Sequence, residues 1–109
     1  MTTYYVDPVN GLDTNNGLGP DASHATNKPL RTIGKLIAAS GLLGAGYTGG
    51  DTVKLAPGVY RERVTIGIGS ATSITSTLMI QGDPWNASGF KTSGGVLVQP
   101  GAVVWTAFD

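Results

Sequence analysis

Hydrophobic and polar positions change their rhythm twice along the chain. Residues 3–6, Thr-Tyr-Tyr-Val, form a short β-prone stretch. Residues 7–29 hold almost nothing apolar enough for a core and are dense in turn formers such as Asp7-Pro8, Asn10-Gly11, Asn16-Gly17 and Gly19-Pro20. So long a connection in a small domain implies a task, such as metal binding or a surface clasp. At Leu30 the spacing becomes helical, with Leu30, Ile33, Leu36, Ile37 and Leu43 on one face and Lys35 on the other. Pro29 precedes this pattern, Thr32 offers an N-cap, and Gly41 and Gly44 offer stops. Gly34 inside it costs about 1 kcal/mol relative to Ala, which predicts a short helix within 33–40.

From Gly49 onward the period is that of strands. Thr52-Val53-Lys54-Leu55 alternates and ends at Pro57-Gly58, a type II turn signature. Val64–Ile66, Leu78–Ile80, Val96–Val98 and Val103–Trp105 follow, most of them ended by Gly or Pro. Val53, Leu78 and Val103 recur every 25 residues, as do Leu55, Ile80 and Trp105. A fixed period of this size signals a repeat architecture. These six side chains are expected to stack in register in one parallel sheet, as in the coils of a parallel β-helix. A hairpin sandwich would explain the turns but not the repeat, and chance recurrence in a Val-rich chain is the other alternative. The expected fold is mostly β: the start of a right-handed parallel β-helix, about two to three coils, with an N-terminal capping α-helix. The expected layout is a single module: strand and polar loop over 1–29, capping helix over 30–44, and first coils over 49–109.

Composition narrows the function classes. Lys plus Arg and Asp plus Glu are 7 each and charged residues are 13% of the chain. That is about half the usual share and argues against nucleic-acid binding, which needs a basic surplus. There is no Cys, which excludes disulfides, thiol catalysis and Cys-ligated metals. No run of 18 apolar residues exists, so no membrane span is expected. The opening residues Met1–Asp7 carry neither a basic nor an apolar signal-peptide region. Asn86-Ala87-Ser88 fits a glycosylation acceptor in form.

A set of motifs in order then carries a resemblance. Tyr4-Tyr5-Val6-Asp7-Pro8, Gly11-x-Asp13 and Asn16-Gly17 come first, followed by Lys28-Pro29-Leu30-Arg31-Thr32-Ile33 and Gly50-Asp51-Thr52-Val53. Pro57-Gly58-Val59-Tyr60-Arg61-Glu62 and Val64-x-Ile66 complete the set. Together they resemble the N-terminal region of pectate-lyase-like right-handed parallel β-helix proteins. That start occurs on polysaccharide lyases, other polysaccharide-active proteins and phage tail proteins, so the resemblance implies a fold but no one activity. It implies that the helix over 30–44 plugs the N-terminal end of the coil. It also implies that Val103, Trp105 and Phe108 meet downstream coils or a second copy. Lyases of this superfamily use a basic residue beside calcium held by several acids in middle coils, and nothing here matches that site.

Residues for chemistry are few. No two carboxylates stand at i, i+2 on a strand, as an acid–base pair would favour, so no catalytic residue is assigned. Asp7, Asn10, Asp13 and Asn15 offer hard oxygen ligands in one segment, as Ca²⁺ prefers; Asx-turns explain the same residues without a metal. Arg61 and Arg63 suit bidentate recognition of a glycan or carboxylate, or are a solvated corner with Glu62 pairing an Arg. Trp85 could stack on a sugar or cover the coil. Asp51 reads as a turn acid bonding its local backbone, and His24 as a solvated loop residue. Two readings from different classes stand. One is a non-catalytic cap and first coils of a virion, tail or other surface-polysaccharide-recognising protein, in a virion or extracellular location. The other is the front of a polysaccharide lyase or hydrolase with its site beyond residue 109. A small self-associating β protein is a third.

Overall fold

A computed structural model describes residues 2–38, 41–43, 49–63 and 78–106. The chain is rich in β-structure with little helix. Its elements are β1 (Thr3–Val6), α1 (Gly34–Ile37), β2 (Thr52–Leu55), β3 (Gly58–Arg61), β4 (Met79–Gly82) and β5 (Val103–Thr106). They form a three-stranded sheet ordered β1-β2-β4 and a two-stranded sheet ordered β3-β5. Every pairing between these strands is parallel.

Alternation explains which side chains enter the core. In β2, Val53 and Leu55 are buried while Thr52 and Lys54 are partly exposed. Val6, Leu30, Ile33, Leu36, Ile37, Leu43, Val53, Leu55 and Tyr60 make one cluster, with Tyr4, Leu78, Ile80 and Val103 packed against it. The helical segment thus buries Ile33, Leu36 and Ile37 on the same core as the sheets. The α-helix itself is only four residues, because Ala38 turns extended (φ −68, ψ 163). The Leu42 and Leu43 amides then bond the Lys35 and Leu36 carbonyls, folding the chain back. Residues 39, 40 and 44 of the expected helix lie outside the described residues.

Three strand expectations need correction. The six-residue stripe is not one sheet: Val53 pairs with Ile80, whereas Tyr60 pairs with Trp105 in the second sheet. The step between β2 and β4 is 27 residues, as the Lys54–Gln81 pair shows. Val96–Val98 is not a strand but the return arm of a tight loop. There Thr92 N–H bonds Val96 O and Val98 N–H bonds Phe90 O, leaving Val96 and Leu97 exposed. The expected strand Val64–Ile66 lies outside the described residues, as does Phe108.

The strands β1, β2 and β4 turn at one corner. The ladder runs one residue past each strand, with Ala56 N–H on Val6 O and Asp83 N–H on Leu55 O, both 2.9 Å. Pro8, Pro57 and Pro84 come next, and a proline has no N–H with which to continue a ladder. Gly58 starts β3 at φ +145, and a Cβ there would lie 2.8 Å from Pro8 Cγ. The corner therefore needs glycine on two counts, and Pro57-Gly58 makes a sheet-to-sheet corner instead of a type II turn.

Candidate functional site

The polar segment 7–30 closes the outer edge of β1. Tyr5 N–H bonds Gly17 O at 2.8 Å, Leu30 N–H bonds Tyr5 O at 3.0 Å, and Asp7 N–H bonds Leu30 O at 2.7 Å. An open strand edge is a template for pairing, and this clasp occupies it.

Asp7, Asn10, Asp13 and Asn15 are placed by that task. Asp7 is buried, and its Oδ1 accepts the Val9 and Asn10 amides at 3.0 Å each. Its Oδ2 accepts Asn10 Nδ2 at 3.2 Å. Asp13 Oδ1 accepts the Arg31 and Thr32 amides, and its Oδ2 accepts the Thr32 hydroxyl. Asn15 Nδ2 donates to Pro29 O at 2.9 Å. Asp7 is thus occupied as a local turn acceptor, while Asp13 holds amides 18 and 19 residues away and ties the start of the segment to its end instead of forming an Asx-turn. Among the described residues no three His, Cys, Asp or Glu gather around a common point.

Glu62 does something that local reading missed. Its carboxylate accepts Ile33 N–H at 2.8 Å and Gly34 N–H at 2.9 Å, capping α1 from the end of β3. Helix starts leave such amides without partners. Thr32, expected as the N-cap, stands one residue before the cap position and receives Lys35 N–H at 3.3 Å. Asp51 also reaches a distant partner: its Oδ1 accepts Thr2 N–H at 2.6 Å, joining segments 49 residues apart.

Arg61 and Arg63 are exposed on either side of Glu62. By alternation Arg61 shares the outward face of β3 with Val59, opposite Val104 and Thr106 of β5. Trp105 faces the other way, is 41% exposed, and donates its Nε1–H to Glu62 O at 3.0 Å.

Trp85 opens the loop that joins β4 to β5 and is 80% exposed, so it does not cover the core. The turn beneath it is fixed. Asp83 is buried and accepts the Ala87 and Ser88 amides at 2.8 Å each. Burial pushes its carboxyl up, but Ser88, the Ala87 amide and Lys54 outweigh that and hold it below the usual range. Asn86 sits at φ 55, accepts Phe90 N–H, and donates Nδ2 to the Phe90 and Val98 carbonyls. The glycosylation-like Asn86 is therefore engaged through its amide nitrogen. Phe90 is buried edge-on to Tyr5, with centroids 5.8 Å apart. Gly101 N–H bonds Pro84 O and Gly58 N–H bonds Ala102 O, which sets Trp85 beside the start of the β3-β5 sheet. Arg61 closes β3 at its other end, about 10 Å along the strand.

No protein-family model, curated protein or solved structure matches this chain.

Proposed function

We propose that residues 1–109 are the cap and first coils of a right-handed parallel β-helix in a phage virion or tail protein, or another protein that recognises surface polysaccharide. In this reading the chain performs no catalysis. Segment 7–30 and α1 seal the first coil, β2 and β3 are two sides of one coil, and β4 and β5 are the same two sides of the next. The observation that carries the reading is the corner. Parallel ladders on both sides of Pro57, with Pro8 and Pro84 after the neighbouring strands, are what successive coils require. The clasp on β1 fits a terminal coil, which needs a polar outer cover. Further coils or a second copy would pair along β4 and β5, at Val103, Trp105 and Phe108.

Trp85, Arg61 and Arg63 are the proposed glycan contacts, the ring by stacking and the guanidiniums by bidentate hydrogen bonds. Titrating the chain with fragments of bacterial surface polysaccharides, followed by tryptophan fluorescence, tests this. A saturable change that Trp85→Ala abolishes and Arg61→Ala weakens is expected. A response that survives Trp85→Ala, or none with any fragment, would remove the glycan half of the reading.

A further inference from the structure

We infer that the loop around His24 is a proton-operated latch on the N-terminal clasp. His24 is the single histidine of the chain, and histidine is the side chain that changes charge between about pH 5 and 8. Its Nδ1 accepts two backbone amides, Thr26 N–H at 3.1 Å and Asn27 N–H at 3.0 Å. An acceptor nitrogen must carry a lone pair, so this arrangement holds only the neutral ring protonated at Nε2. In the imidazolium both nitrogens are donors, and Nδ1–H would face two N–H groups. A proton on Nδ1 therefore has no place in the loop as it is closed here.

The charged ring has another partner close by. Asp21 interacts electrostatically with His24, and His24 N–H bonds Asp21 O at 3.0 Å. Hydrogen bonds from the Ser23 side chain and amide, with Lys91 and His24 nearby, hold the Asp21 carboxyl below its usual range, so it stays ionised as the ring charges. Lys91 competes for the same carboxylate at 4.0 Å. The loop thus has two arrangements. In one the neutral ring gathers the Thr26 and Asn27 amides. In the other the cationic ring turns to Asp21, against Lys91.

The consequence reaches the clasp. Asn27 Oδ1 receives Asn16 Nδ2, and Asn16 Oδ1 in turn holds the Leu18 and Lys28 amides. On the other side, Ala22 N–H bonds Lys91 O and Lys91 N–H bonds Pro20 O, tying this loop to the β4–β5 connection. Opening at His24 loosens both ties.

The test is an NMR titration of the ¹⁵N-labelled chain from about pH 8 to about pH 5. Long-range ¹H–¹⁵N correlations should show Nδ1 as the unprotonated nitrogen at the upper end. The Thr26 and Asn27 amides should then shift together with the ring as it charges. His24→Asn places a non-titrating oxygen near the Nδ1 position and should keep both amides in their high-pH positions throughout. His24→Ala should show the released positions at every pH. Amides of Thr26 and Asn27 that stay still while the ring titrates would overturn the inference, and so would the same pH response in His24→Asn.

Discussion

Removing the Glu62 carboxylate should unseat the helix without touching its sequence. Glu62→Ala deletes both acceptors of the Ile33 and Gly34 amides, at 2.8 and 2.9 Å. A hydrogen bond to a charged group contributes about 1.5–3 kcal/mol, and loss of a helix cap costs about 0.5–2 kcal/mol. Glu62 is partly exposed, so water replaces part of what is lost. The pair together is therefore worth about 2 kcal/mol. For a domain near 100 residues that lowers Tm by roughly 8–16 °C. Glu62→Gln keeps one acceptor oxygen and should fall between Glu62→Ala and the parent. Urea unfolding gives the free energies, and the Ile33 and Gly34 amide resonances give the local readout. The Arg61→Ala variant is the control, since Arg61 is exposed on the other side of the strand. If Glu62→Ala unfolds within about 0.3 kcal/mol of the parent, inside the scatter of surface substitutions, the capping role is wrong.

Other outcomes follow from the same geometry. Ile37→Ala should cost about 2–5 kcal/mol in urea unfolding, because Ile37 is fully buried in the cluster that joins helix and sheets. Burial, helped by Asp7 and Glu62, pushes the Tyr60 phenol far above its usual range, while its hydroxyl lies against the Val6 and Ala56 carbonyls. The folded state thus keeps this proton after the unfolded chain has lost it, so stability should fall as pH rises above about 10. Tyr60→Phe should flatten that slope. Asp83 is the reverse case: the stability it contributes is present above about pH 4 and fades as pH falls below. Asp83→Asn should reduce the acid sensitivity seen in a pH series of thermal melts. Light scattering across a concentration series should show association that Trp105→Ser weakens, because Trp105 is left partly exposed on a strand at a sheet edge.

Alternation along 52–55 identified β2 because Val53 and Leu55 both enter the core, and along 78–80 and 103–105 it located β4 and β5, where Ile80 and Val103 pack against that core while Met79, Val104 and Trp105 stay exposed. The repeat length was harder to read for a physical reason. A slip of two residues keeps every side chain on its own face, so an apolar pattern cannot separate a step of 25 from one of 27. The prolines could have done so, since Pro57 and Pro84 mark equivalent corners. Strand β3 hid inside Pro57-Gly58-Val59-Tyr60-Arg61, where one buried tyrosine is too little signal for a strand. Of the loop chemistry, the role of Asp7 as a turn acceptor was legible in type. The partners of Glu62, 29 and 28 residues away, were not, because capping rules look only at neighbouring positions. Trp85 could be named as a candidate, but its exposure follows from the turn built by Asp83 and Asn86.

The account stands most directly on the strand register around the corner. An NMR measurement of backbone contacts between strands in the 109-residue chain tests it. The expected result is parallel-type contacts linking Tyr4 to Val53 and Val53 to Ile80, with Tyr60 next to Trp105 in a separate sheet. Close Hα–Hα contacts of an antiparallel pair between β2 and β4, or β5 lying directly beside β4, would contradict it.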